Sequence, residues 1–362
     1  MLRNIFIFSL LVSSYAFSQT FEIKHQSSGK CIDIQGNGSE DGTKVQLYRC
    51  NGTPAQHFTL VPVKAPEPIP DPKPASDKEI AVYFQSWSAP WTATGAQHQL
   101  ANLPSYVSTV LLAFSRPETA YKAGDSLWTA GLDFSSDAAV IKDAIAIAKS
   151  QGKTILLSVG GATYVNWKSY NVQGTVALAS YLGVDGIDLD YEDMNQVCSW
   201  GTGGTACPKD AEFIDIIKRT RAAWPRPKLL TTAAWSTGAY GEGDHAASKM
   251  DSRQIGSNFG LYVNPLKQAG DLFDRVYVMA YDAGNKNTTG YDWREAVKAY
   301  RKYYKGRLVV GIESAPEAWG GNVSDAKDAA ERARETNGIM VWSWQKAGGK
   351  ELAEAAAKAI GM

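Results

Sequence analysis

From Glu79 to its end the chain alternates between short apolar runs and longer amphipathic or Ala-rich stretches. Strand candidates fall at 80–85, 107–114, 154–159, 186–191, 228–234, 275–280, 308–312 and 338–342. Helix candidates at 136–150, 208–224, 292–304 and 324–336 lie between them, and 351–359 closes the sequence. Apolar runs this short suit strands buried on both faces, and a helix between successive strands makes them parallel. Eight such units are the arithmetic of an α/β fold, the (β/α)8 TIM barrel. A doubly wound open sheet is the competing architecture. No Gly-rich phosphate fingerprint follows the first strand, which removes its usual function.

The fourth run, Asp185-Gly186-Ile187-Asp188-Leu189-Asp190-Tyr191-Glu192, stands apart. Alternate side chains of a strand point to opposite faces, so Asp188, Asp190 and Glu192 share one face while Ile187, Leu189 and Tyr191 share the other. Same-face neighbours are only about 7 Å apart, and like charges that close cannot all ionise cheaply. The pattern predicts shared protons and at least one raised pKa. A structural strand gains nothing from that, whereas an enzyme needing an acid at neutral pH does. The alternative, a calcium-ligating or solvated acidic edge, is opposed by the Ile/Leu/Tyr alternation of an interior strand.

Composition narrows the function classes. Lys plus Arg and Asp plus Glu each number 37, and with no net charge or basic run nothing points to nucleic acid or an anionic membrane. The histidines (His25, His57, His98, His245) are scattered and the Cys spacings fit no zinc signature, so no metal or other cofactor is expected. The 11 Trp, 17 Tyr and 11 Phe offer flat faces suited to sugar rings, although cores use such residues too.

Residues 1–18 have the marks of a secretory signal peptide: Arg3, an apolar run from Ile5 to Val12, and Ala16-Phe17-Ser18 as a small-x-small cleavage site. That run is too short for a permanent membrane anchor, and no other stretch approaches spanning length. A secreted, extracellular protein with a mature start at Gln19 is expected. In an oxidising compartment the four cysteines pair most simply as Cys31–Cys50 and Cys198–Cys207. Residues 62–78 carry Pro at every second position from 66 to 74 and form a semi-rigid polyproline linker. The chain thus divides into 1–18, a small all-β unit at 19–61, the linker at 62–78 and the barrel at 79–362, expected to act as a monomer. Sequons at Asn37, Asn51, Asn287 and Asn322 matter only in a glycosylating host.

The acidic run resembles the Asp-x-x-Asp-x-Asp-x-Glu signature of the family 18 glycoside hydrolases, the chitinases and their relatives, with all four acidic positions present. Other strand ends add to the resemblance in barrel order. Tyr83 and Trp87 stand at the end of the first strand. Ser158, Gly160 and Gly161 resemble the family's Ser-x-Gly-Gly, and Met279, Tyr281 and Asp282 its Met-x-Tyr-Asp. Residues 338–342 match its Gly-x-Met-x-Trp and end on Trp342.

The resemblance covers roughly 79–362 and implies substrate-assisted, retaining hydrolysis of chitin or N-acetylglucosamine oligosaccharides. Glu192 would protonate the departing glycosidic oxygen, while the substrate's own 2-acetamido oxygen attacks C1 and forms an oxazolinium ion. Asp190 would hold the acetamido N–H, Asp188 would share a proton with Asp190, and Tyr281 would donate to the acetamido oxygen. Asp282 and Met279 would hold the sugar above a Trp342 floor, with Tyr83 facing the site and Trp87 lining it. Ser158 would bond Asp188, and the two glycines would admit close approach of backbone and sugar. Only some two dozen residues separate the last two strands, too few for the α+β insertion that deepens the cleft in some members. A shallow groove and endo-type cutting follow. The same barrel also serves endo-β-N-acetylglucosaminidases acting on N-glycans and non-catalytic chitin-binding lectins; the latter typically lose the acid that Glu192 supplies here.

Two further segments bear on sugar binding. The loop at 193–211 carries Trp200, which is either a stacking platform on the leaving-group side or a plain surface residue of a stapled loop. Residues 21–61 resemble one repeat of a ricin-type β-trefoil lectin. That resemblance implies Asp33 as acceptor for sugar hydroxyls, Tyr48 as a stacking face, and Gln46 and Gln56 as supports for Asp33. The family's closing Gln-x-Trp is Gln56-His57-Phe58 here, and one repeat is visible where a closed trefoil needs three. The unit therefore either binds sugar or only packs, and its disulfide matters at this size.

Overall fold

The computed structural model describes residues 20–59, 78–193, 197–201, 204–256, 258–314 and 325–362. The expected signal peptide at 1–18, all but the last residue of the linker at 62–78 and the sequon at Asn322 lie outside the described residues. The chain divides into two units, 1–74 and 75–362.

In the first unit β1 (Thr20–Phe21) pairs with β4 (Phe58–Thr59), and β2 (Cys31–Ile34) with β3 (Val45–Tyr48), all antiparallel. The register sets Asp33 opposite Gln46 and Ile32 opposite Leu47, so the ribbon has one polar and one aliphatic face. The polar face is the packed one. Asp33 is buried and accepts from Gln46 Nε2 at 2.9 Å and Gln56 Nε2 at 3.0 Å. Val45 and Leu47 on the aliphatic face stay exposed, because a single repeat supplies no second layer of its own. The Cys31–Cys50 disulfide forms as expected.

The second unit opens with β5 (Glu79–Gln85), β6 (Thr109–Ser115), β7 (Thr154–Gly160) and β8 (Gly186–Asp190), each parallel to the one before. A hairpin of β9 (Ser199–Gly201) and β10 (Gly204–Ala206) follows, closed by the Cys198–Cys207 disulfide. β11 (Leu229–Trp235), β12 (Arg275–Met279), β13 (Arg307–Glu313) and β14 (Gly338–Trp342) complete a closed barrel, Gly338 pairing back onto Glu79. Nearly every barrel-strand residue is buried, as a sheet with side chains packed inside and helices outside requires.

The helices are α1 (Ala138–Ser150), α2 (Val172–Leu182), α3 (Asp210–Ala223), α4 (Val263–Ala269), α5 (Trp293–Tyr303), α6 (Ala326–Glu335) and α7 (Gly349–Ala359). Sequence reading does not anticipate α2 or α4. In α2 the interior Gly174 weakens the helical pattern, yet a Cβ there would lie 1.8 Å from the Thr119 carbonyl oxygen. Only glycine lets this helix lie so close to that loop. α4 is two turns long with Pro265 in its first turn.

At the N-terminal end of the barrel, Glu79 accepts from Thr109 Oγ1 at 2.7 Å and meets Arg275 at 2.6 Å and Arg307 at 3.3 Å. Two guanidiniums make this buried carboxylate tolerable. The opposite end, where the strands finish, carries the chemistry.

Candidate active site

β8 alternates as its sequence predicts. Tyr191 turns outward, its ring stacked on Phe213 of α3 at 4.3 Å and its hydroxyl donating to Glu212 at 2.8 Å. Asp188, Asp190 and Glu192 turn inward and are buried.

Asp188 is the deepest. It accepts from Tyr83 at 3.0 Å and Ser158 at 2.7 Å on Oδ2, and from Thr231 at 2.5 Å on Oδ1. Burial raises its pKa while the three hydroxyls pull the other way, and burial prevails. Tyr83 and Ser158 are where the sequence put them. Thr231, from the middle of β11, was not foreseen, because nothing about an isolated Thr in a strand marks it.

Asp190 Oδ1 is buried and receives no hydrogen bond from an N–H or hydroxyl. Its partner is the Glu192 carboxyl, and burial, then the charges of Glu192 and Asp188, push Asp190 well above the usual carboxylate range. Burial, aided by the charge on Asp282, pushes Glu192 up to about 7, against the opposing pull of its bond to Asp190. Asp190 thus meets the Glu192 carboxyl and also feels the charge of Asp188 below it.

Asp190 and Glu192 open into a cavity of about 590 Å³ that Met279, Tyr281, Asp282 and Trp342 also line. Phe114 stacks on Trp342 at 5.6 Å and 21°, and Trp87 follows at 6.2 Å from Phe114, so aromatic rings run along one side. Tyr83 meets Trp342 edge-on at 5.3 Å. The Asp282 backbone adopts φ 52°, an uncommon conformation that Asp accepts more readily than most residues.

Asp133, Trp235 and Glu313 also line the cavity and were missed by sequence reading. Trp235 and Glu313 are the last residues of β11 and β13, positions where barrel chemistry collects. Strand ends drawn at 234 and 312, one residue short, concealed both.

Some expected residues lie elsewhere. Trp200 is not among the residues lining this cavity; its ring packs edge-on against Phe259 at 5.2 Å, which suits the plain reading of a stapled hairpin. Gly160 and Gly161 are closed against protein: an added Cβ would meet the Asp190 carbonyl oxygen at 2.3 Å and the Phe114 ring at 2.7 Å respectively. They let β7 approach β8 and the aromatic run. In the first unit Tyr48 is exposed, whereas Asp33 is buried beneath the two glutamine amides.

Residues 79–358 match the family described as Glycosyl hydrolases family 18. Residues 8–66 match the Ricin-type beta-trefoil lectin domain-like family, a span wider at both ends than the 19–61 expected from sequence. Chitinase Chi52 from Paenibacillus xylanexedens is 22% identical over 264 residues, 71% of this chain and 44% of that protein, so the chain spans less than half the length of this relative. Among solved structures, putative Chitinase A from Streptomyces coelicolor superposes with a TM-score of 0.54 at 15% identity, covering 79% of this chain and 99% of the other. A GH18 chitinase from Pseudoalteromonas aurantia gives 0.51 at 18%, over 77% and 99%. The chitinase-like agglutinin RobpsCRA from Robinia pseudoacacia gives 0.51 at 16%, over 78% and 99%. Identities this low speak to the fold alone, a barrel that an enzyme and an agglutinin can share. The sequence match along 79–358 goes further than the fold, and by it the chain belongs to the glycosyl hydrolases of family 18.

Proposed function

We propose that the chain is a secreted, endo-acting chitinase that hydrolyses β-1,4-linked N-acetylglucosamine polymers with retention, Glu192 acting as the general acid. The observation that carries this reading is the buried Asp190–Glu192 pair on the wall of a cavity that Tyr281, Asp282 and Trp342 also line. It sets an acid with a pKa of about 7 at a cavity wide enough for a sugar ring and lined by Trp342. Leaving-group protonation near neutral pH needs such an acid.

When the 2-acetamido group enters, its N–H takes Asp190 as acceptor, and the proton of the pair stays with Glu192. Glu192 passes that proton to the glycosidic oxygen as the acetamido oxygen bonds C1, with the Tyr281 hydroxyl steadying the acetamido oxygen. Glu192, now a carboxylate, then takes a proton from the water that opens the oxazolinium ion. Asp188, fixed by its three hydroxyls, holds negative charge below the developing cation. The short connection between β13 and β14 supports an open groove and internal cutting. The two disulfides fit an extracellular site of action, with 1–18 as signal peptide, 19–61 as a sugar-binding appendage and 62–78 as its spacer.

Product analysis on N-acetyl-chitooligosaccharides tests the reading. Wild type should release β-anomeric products from internal bonds and leave cellulose intact. Glu192→Gln should lose roughly 10²–10⁴ in rate and keep its affinity for the oligosaccharide. Wild type that binds without cutting would instead identify a lectin.

A further inference from the structure

Two adjoining cavity carboxyls, Asp282 and Glu313, have no part in proton transfer. Glu313 ends β13 beside Trp342, its register partner on β14, and is 3% exposed. Its Oε2 is buried and receives no hydrogen bond from an N–H or hydroxyl. The group it meets is another carboxyl, Asp282; burial and then the Asp282 charge push Glu313 up to about 8.

Other ionisable groups surround the pair. Lys346 lies over the Trp342 ring at 4.9 Å and offsets part of the negative charge. Tyr281 faces the pair from the end of β12, its phenol raised by burial first and then by Asp190 and Glu313. Arg332 of α6 is spent elsewhere, donating to the carbonyls of Ala280 and Gly311 and pairing with Asp328. Raised that far, Glu313 keeps its proton near neutral pH and bonds to Asp282, so the pair carries one negative charge, which Lys346 offsets in part. Among the described residues no Lys or Arg lines the cavity, and Asp133 adds a further carboxyl.

A fully N-acetylated chain is neutral and offers this wall only hydroxyl and amide donors. A cation arriving with the ligand can displace the proton of the pair and adds a charge-assisted contact. In an N-acetylglucosamine polymer, loss of an acetyl group produces one, the 2-ammonium of a glucosamine unit. The ring at the cleaved bond must keep its acetyl, because that group attacks C1. The free amine therefore belongs to a neighbouring ring.

We propose that Glu313, with Asp282, forms a recognition site for the ammonium of a deacetylated sugar unit next to the ring that is cleaved, so that partially deacetylated chitin is a preferred ligand. This rests on the family 18 reading for the cleaved ring. Affinity is the readout, so a failure of turnover does not obscure it.

The test is calorimetry in a Glu192→Gln background, where hydrolysis is suppressed. The ligands are N-acetylglucosamine tetramer and the four tetramers with one unit deacetylated. One position of the free amine should strengthen binding about tenfold over the fully acetylated tetramer, as a charge-assisted contact does, and added salt should shrink the gain. Adding Glu313→Gln should abolish it, and Glu313→Asp, which keeps a carboxyl, should retain part. If no position strengthens binding, or if the gain survives Glu313→Gln in a folded protein, the proposal is wrong. Should Glu313→Gln fail to fold, the positional series and its salt dependence in the Glu313 parent still decide. Wild-type hydrolysis of the acetylated tetramer, measured separately, reports on the parent reading alone.

Discussion

Thr231 Oγ1 donates to Asp188 Oδ1 at 2.5 Å, the shortest of the three hydroxyl bonds that fix this buried carboxylate. Next along the same face, Asp190 meets the Glu192 carboxyl. Thr231→Val keeps the side-chain shape and removes the donor. A buried acceptor that loses a partner costs about 1–3 kcal/mol. Asp188 already has a folded-state pKa above its ordinary value, so its ionisation draws down stability as pH rises past about 3.9. Removing a donor raises that pKa further. The Tm deficit of Thr231→Val should therefore be small at pH 4 and grow toward pH 7. A deficit that is the same at both pH values would show that Asp188 does not depend on this hydroxyl.

The charge on Asp282 helps hold Glu192 at about 7. Glu192 acts in its protonated form, so kcat/KM should fall as pH rises through that value. Asp282→Asn removes a repelling charge, lowers the Glu192 pKa and moves the alkaline limb toward acid. A pH–rate profile on a chromogenic oligosaccharide reads the shift directly. A limb that stays in place, or moves alkaline, would separate the two residues.

The fold and the site were unequally legible in the sequence. All eight barrel strands could be located because each is a compact apolar run, and the side to which each residue of β8 points follows from a period of two. What sequence could not carry was lateral neighbourhood. Thr231 reaches Asp188 because β11 pairs with β8 in a register that sets Thr231 against Asp188, and register across a barrel leaves no local trace. The Asp282–Glu313 pair likewise joins strand ends about thirty residues apart in sequence. Trp200, which sequence leaves open between a stacking platform and a plain residue of a stapled loop, is held by its hairpin edge-on to Phe259.

Tyr281 lines the cavity, and burial, then the carboxyls around it, raise its phenol well above the ordinary value, so it remains a proton-bearing donor at any working pH. Donation to an oxygen that becomes bonded to C1 matters more in the transition state than in the ground state. Tyr281→Phe should then lower kcat by about 10²–10³, the range for removal of one such donor, with KM changed far less. An equal rise in KM with kcat intact would assign Tyr281 to ground-state binding.

The N-terminal unit depends on its bridge in a way the barrel does not. Cys31–Cys50 closes 19 residues of separation inside a ribbon whose aliphatic face, Val45 and Leu47 among it, remains exposed. A loop of that length contributes about 3 kcal/mol, comparable to everything so small a core can supply. The Cys198–Cys207 bridge spans only nine residues of separation and staples a hairpin packed on a large core. Cys31→Ser/Cys50→Ser should therefore open residues 20–59 to limited proteolysis at 25 °C while a fragment from about Glu79 onward persists. That fragment should keep the Tm and the oligosaccharide hydrolysis of the parent. A single cooperative transition in which both units melt together at a lowered temperature would mean instead that the barrel relies on the N-terminal unit for its own stability.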